Sequence, residues 1–194
     1  MDHLSYIKEY LNESLGVKEK LLSSQAVLDK VSEAAEMIIE AYKNNCKVLL
    51  AGNGGSAADS QHIAAELVSR FLYDRPGLPA IALTTDTSML TAIGNDYGFM
   101  NLFSRQVEAQ GAPGDVFIGI STSGNSENIL NALKAASKKG IHTIAFCGEG
   151  GSIKDHVDTA ICIPSSSTPY IQECHITVGH IICAIVEKVI FPRD

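Results

Sequence analysis

The stretch LLAGNGGSAADSQHIAAELVSR, residues 49–70, decides how the chain is read. Its apolar opening suits a buried strand, its glycine-rich middle a tight turn, and its remainder a helix from about Ser56. A strand, a turn and a helix in that order form the first half of a parallel crossover unit. The segment GNGGSA also satisfies the loose G-x-G-x-x-[GA] pattern of dinucleotide-binding turns. That reading wants an acidic residue about 20 positions on, at the end of the next strand. The first acid closing the next apolar run, PAIALT, is Asp86, too far along the chain, and the dinucleotide reading is set aside.

Outward from this stretch the pattern repeats. PAIALT, DVFIGI, HTIAFC and TAICIP read as further strands. Helical material runs to about Gln110, another helix from about Asn125 to Lys139, and a last one from about Tyr170 to Val189. Short apolar strands alternating with helices predict an α/β protein whose parallel sheet is covered on both faces. Towards the N-terminus, Leu4, Ile7, Leu11 and Leu15, then Val27, Val31, Ala34, Ile38 and Ala41, recur at helical spacing. They predict two amphipathic helices broken near Ser23 and Ser24.

With 194 residues and 45% hydrophobic content, the chain suits one domain, or one domain with a helical extension. The formal net charge of -7 argues against a general binder of nucleic acid or anionic membrane. An anionic ligand would have to be held by local donors. The first twenty residues carry charges throughout and no apolar run approaches about 18 residues, so the chain reads as soluble and cytoplasmic. The five cysteines (Cys46, Cys147, Cys162, Cys174, Cys183) form no C-x-x-C pair, and four lie in apolar runs, as packed thiols do.

Ligands of such sheets bind beyond the carboxyl ends of the strands, and two loops there are rich in Gly, Ser and Asn. The second, ISTSGNSENIL (residues 120–130), offers the hydroxyls of Ser121, Thr122, Ser123 and Ser126 beside the free amides of a helix start. Capping needs one or two of them; the surplus points to a phosphate site.

His62 and Glu66, at i and i+4, share a helix face among Ile63, Ala64, Ala65 and Leu67. A Glu among apolar neighbours takes up a proton more readily, and the pair equally fits two metal ligands or an ordinary polar pair on a solvated helix. The last helix carries Gln172, Glu173, His175 and His180 among apolar residues. Helical geometry puts both Gln172 and Glu173 on roughly the side of His180 and slightly favours Glu173. His175, His142, His156 and His3 read as core or surface histidines.

Five blocks, AGNGGSAADSQHIAAEL, ALTTDTSMLTAIGNDYGF, FSRQVEAQG, GISTSGNSENIL and IQECHITVGHIIC, occur in order. Together they resemble the phosphoheptose isomerases, the sedoheptulose 7-phosphate isomerases of the sugar-isomerase (SIS) domain group, over residues 47 to 190. The resemblance implies a three-layer α/β/α sandwich with a five-stranded parallel sheet. It divides the chain into an N-terminal helical extension used in oligomerisation, residues 1–45, and the SIS domain, residues 46–194. It further implies a homotetramer with active sites between subunits, and conversion of sedoheptulose 7-phosphate to D-glycero-D-manno-heptose 7-phosphate for lipopolysaccharide or capsule.

Carried over by position, one zinc ion per subunit falls to His62, Glu66, Gln172 and His180, which selects Gln172 over Glu173. Sugar-phosphate contacts fall on Asn53, Gly54, Gly55 and Ser56, on Glu66 and Gln172, on Asn95 and Asp96, and on Ser121, Thr122, Ser123 and Ser126. Glu66 and His180 take the catalytic roles, Glu66 as the base at carbon and His180 as acid and base at the oxygens. A metal-bound carboxylate is a poorer base, so either ligation changes during turnover or the metal is structural. One position departs: TPYIQE carries Tyr170 where many members have arginine, removing a cation near the active-site entrance. The rival readings are a non-catalytic SIS-fold adaptor for a replication initiator, which would lack the His62, Glu66, Gln172 and His180 set, and a sugar-phosphate sensor, which would need an output domain.

Overall fold

The structure is a computed structural model and describes residues 1–193. Two helices come first, α1 (His3–Ser23) and α2 (Gln25–Lys43), separated at Ser24, whose extended backbone (φ -92°, ψ 90°) breaks the helix at the predicted place. Strands and helices then alternate as β1 (Val48–Gly52), α3 (Gly55–Val68), β2 (Ala80–Ala82) and α4 (Thr87–Tyr97). After a 3₁₀ turn at Phe99–Asn101 come α5 (Leu102–Gln110), β3 (Val116–Ser121), α6 (Glu127–Lys138), β4 (His142–Cys147), β5 (Thr159–Cys162) and α7 (Thr168–Ile190). The helix α7 begins before the expected Tyr170 because Pro169, which cannot donate a backbone hydrogen bond, is suited to the first turn.

All strand pairs are parallel, in the order β2-β1-β3-β4-β5. Along β1 and β3 successive side chains feed opposite faces. Val48, Leu50, Val116 and Ile118 join a core with α2, α3 and α7, while Leu49, Ala51 and Phe117 join one with α5 and α6. Two cores on one sheet give the doubly covered sheet that the strand and helix alternation predicted, and the three-layer sandwich that the resemblance implied.

The strand order reverses between β1 and β3, since β1 connects to β2 on one side and β2 crosses back to β3 on the other. Neighbouring loops diverge at such a switch point and leave a crevice at the carboxyl edge. Gly52 pairs in register with Ile120 there, so GNGG and STSGNS leave the sheet side by side.

Helix α2 belongs to this body: Ala34 and Ile38 are fully buried in the core beneath the sheet. Helix α1 turns Ser14, Val17 and Leu21 inward and leaves the stripe Leu4, Ile7, Leu11 and Leu15 half or more exposed. Helix α4 has no buried residue. Among the described residues, no helix is long and apolar enough to cross a membrane.

Candidate active site

Helix α3 leaves β1 at the crevice and carries His62 and Glu66 one turn apart, and α7 packs against it. The contact is close at Gly179, where an added Cβ would lie 2.7 Å from Ile63 Cδ1. The absence of a side chain there lets the next residue, His180, reach its partner. Its Nε2 stands 3.1 Å from His62 Nε2, and His62 Nε2 stands 3.1 Å from Glu66 Oε1. One donor atom from each residue lies within 4.8 Å of the other two.

An uncharged imidazole nitrogen offers either a hydrogen or a lone pair, so His62 Nε2 satisfies at most one neighbour well. A cation would satisfy all three lone pairs together. Tetrahedral zinc with bonds of about 2.0–2.1 Å separates its ligand atoms by about 3.3 Å, close to the two short separations. The donor set therefore fits such a cation. The His62 side chain is 48% and the Glu66 side chain 25% exposed, so the cluster opens to solvent and the apolar surroundings expected for Glu66 are only partial.

Gln172 and Glu173 point to different places. Glu173 binds Lys18 Nζ at 2.9 Å and accepts from Ser14, both on α1. The Gln172 amide instead faces the glycine loop, where a Cβ on Gly55 would come within 2.5 Å of its Nε2. Gln172 is thus the member of the pair directed at the crevice, two turns of α7 before His180.

The second loop is built locally. Ser121, at the end of β3, is buried, and its hydroxyl donates to Ser126 Oγ at 2.9 Å. Ser123 is exposed and accepts from the Asn125 amide at 3.2 Å. Ser126 occupies the N-cap position of α6 without making a side-chain capping bond. The hydroxyls are therefore in excess of capping, and the partial positive charge of the helix start faces the loop.

Two residues escaped the sequence reading. Asn128, buried in the first turn of α6, exchanges paired amide hydrogen bonds with Asn53, each 2.9 Å, and locks the two loops together. Asp59 lies one turn before His62 with Oδ2 buried and without a partner. Burial raises its carboxyl pKa, against the opposing pull of His62. Its i, i+3 spacing to His62 was the available signal; for Asn128, a pairing across 75 residues, there was none.

Asn95 and Asp96 are exposed on α4 and bonded to each other at 2.8 Å, away from the donor cluster's short contacts. Their neighbours Thr91 and Gly94 line a cavity of about 390 Å³ with Gly52, Asn53 and Gly54. Tyr170 is buried against α1, its hydroxyl donating to Glu13 at 2.7 Å and its ring edge-on to Tyr10 at 4.9 Å. The position that would supply a cation thus supplies a phenol fastened to the first helix. His175 is buried, as a core histidine should be, with Nε2 3.2 Å from the Cys147 carbonyl. All five cysteines are free.

The SIS domain family model matches residues 9–148. Phosphoheptose isomerase 2 of Campylobacter jejuni is 59% identical over 190 residues, covering 97% of this chain and 94% of the relative. The chain belongs to the phosphoheptose isomerase family. A phosphoheptose isomerase of Sulfurimonas denitrificans is 56% identical over 187 residues, 96% of each chain. The solved phosphoheptose isomerase of Francisella tularensis superposes with a TM-score of 0.92 at 36% identity, covering 97% of this chain and 100% of that one. The implied fold thereby stands, and a member of the phosphoheptose isomerase family has here assembled His62, Glu66 and His180, the residues an adaptor would lack.

Proposed function

We propose that this protein is an aldose-ketose isomerase that converts sedoheptulose 7-phosphate to D-glycero-D-manno-heptose 7-phosphate, supplying heptose for lipopolysaccharide or capsule. The observation that carries the reading is that one chain holds both a His62, Glu66 and His180 cluster between α3 and α7 and a hydroxyl-rich helix start at the carboxyl edge of the sheet. Moving a proton between C1 and C2 through an ene-diolate needs a base over the carbons, an acid at the oxygens and a grip on the distant phosphate.

Glu66 takes the proton from one carbon and returns it to the other. His180 exchanges protons with the two oxygens. Ser121, Thr122, Ser123 and Ser126, with the α6 amides, hold the phosphate and so fix C1 and C2 against Glu66. Asn53, Gly54, Gly55 and Ser56 bind the sugar, with Asn95 and Asp96 closing over it from α4. His62, Glu66, Gln172 and His180 would hold one zinc ion, which when bound supplies Lewis-acid stabilisation of the developing oxyanion.

The exposed apolar stripe of α1 and the unburied α4 support a homotetramer in which the N-terminal extension, residues 1–45, serves assembly through α1 while its α2 packs into the SIS domain, residues 46–194, and subunits complete one another's sites. A cytoplasmic location accords with a soluble sugar-phosphate substrate.

The test is conversion of sedoheptulose 7-phosphate by the purified protein, before and after chelation and zinc restoration. Turnover lost on chelation and regained with zinc is the expected result. Turnover indifferent to chelation would remove zinc from the chemistry, and no turnover under either condition would refute the substrate assignment.

A further inference from the structure

Beyond the donor cluster, α3 and α7 are joined by a buried ion pair that the reaction itself does not use. Glu187 lies two turns past His180 on α7, its side chain 0% exposed, and the Arg75 side chain paired with it is 2% exposed. The carboxylate accepts from the amides of Phe71 at 2.9 Å and Leu72 at 2.7 Å and from Arg75 Nε at 3.0 Å. The other guanidinium nitrogens donate to the carbonyls of Glu66 at 2.7 Å and Leu67 at 2.6 Å. Those carbonyls belong to the last turn of α3, where a helix leaves its acceptors open. Tyr73 adds a third tie, its hydroxyl donating to the carbonyls of Glu187 and Phe191.

The bonds to Glu187 and Phe191 connect the chain just after α3 to the C-terminal end of α7, and those to Glu66 and Leu67 fasten that same chain to the last turn of α3. A buried ion pair gives little net stability compared with an apolar replacement of similar shape. What directed hydrogen bonds supply is position. The segment they fix presents Phe71, whose ring stacks on His180 with centroids 5.3 Å apart and planes 28° apart. The same ring meets His62, with centroids 4.9 Å apart and planes 59° apart. The imidazole is therefore in contact both with a fixed aromatic face and with the donor that it must meet.

We infer that Phe71, fixed by the Glu187–Arg75 pair, is a positioning residue that sets the ring of His180 for proton transfer and for holding a cation. This rests on the isomerase reading for its turnover consequence, and it makes a separate claim about cation affinity.

The experiment compares the full-length wild type with Phe71→Leu and Phe71→Tyr. It measures kcat and KM for sedoheptulose 7-phosphate, zinc affinity by chelator competition, and the thermal midpoint. Groups that orient a ligand through a contact typically change activity or metal affinity by about 10- to 100-fold when replaced. Phe71→Leu should lower kcat and weaken zinc binding by such a factor with little change in KM, and Phe71→Tyr, which keeps the ring, should restore both. Wild-type kcat and zinc affinity in Phe71→Leu would overturn the inference, as would losses that Phe71→Tyr fails to restore. If the wild type did not turn over the sugar phosphate, the isomerase reading alone would fall, and the zinc comparison would still decide for or against Phe71.

Discussion

The two halves of the site are built in opposite ways. The serine loop is assembled within a handful of consecutive residues, by one strand end and one helix start, with Ser121 bonded to Ser126 five positions away. The donor cluster joins α3 to α7 across 118 residues, along a contact where Gly179 admits Ile63 and a buried ion pair ties the end of α3 to α7. A local site inherits its geometry from backbone rules. A distant one inherits it from packing, and is the half that a single side chain far from the chemistry can spoil.

Three perturbations bear on that contrast. The largest effect belongs to the distant half. Glu66→Gln should fold and lose at least about a hundredfold in kcat, the lower range of acid-base contributions. Its KM should stay close to the wild-type value if the serine loop carries the phosphate as proposed. Near-normal turnover would remove Glu66 as the base.

The next concerns the seam between β4 and α7. His175 is buried, and desolvation pushes its pKa down to about 4, against a weaker upward pull from its bond to the Cys147 carbonyl. The folded value lies below the ordinary one near 6.5, so the unfolded chain takes up the proton first. Stability should therefore fall as pH drops from about 6.5 towards 4, by about 3 kcal/mol in full. Urea unfolding across that range would show a shallower pH dependence in His175→Gln; equal slopes would contradict the assignment.

The smallest effect belongs to the local half. Ser123→Ala removes one exposed hydroxyl and should raise KM by about 5- to 10-fold, the worth of one hydrogen bond, with kcat little changed. Steady-state kinetics would check it, and an effect confined to kcat would mean that the loop does more than hold phosphate.

The same contrast explains what could be read from the sequence. Helix and strand positions followed from periodicity, and the serine loop from adjacent hydroxyls after an apolar run. His62 and Glu66 were legible as a pair because one turn of helix joins them. Their meeting with His180 was supplied by resemblance, since no spacing rule spans 118 residues. Helical geometry leaned towards Glu173, and could not see that Ser14 and Lys18 on α1 would draw it aside and leave Gln172 to face Gly55. Tyr170 is a similar case: the missing cation was visible, and its fastening to Glu13 was not. Within PAIALT only Ala80–Ala82 pairs as strand, because β2 is an edge strand with a single neighbour.

The distance along the chain between His62 and His180 also sets an order in time. Synthesis at about 5–20 residues per second separates the appearance of the two histidines by roughly 6 to 24 seconds. The serine loop is complete at Ser126, 54 residues before His180, so for roughly 3 to 11 seconds it exists while the donor cluster lacks its members on α7. A nascent chain can therefore complete its hydroxyl-rich loop before it can bring the donors of α3 and α7 together, which waits until α7 has left the ribosome and docked.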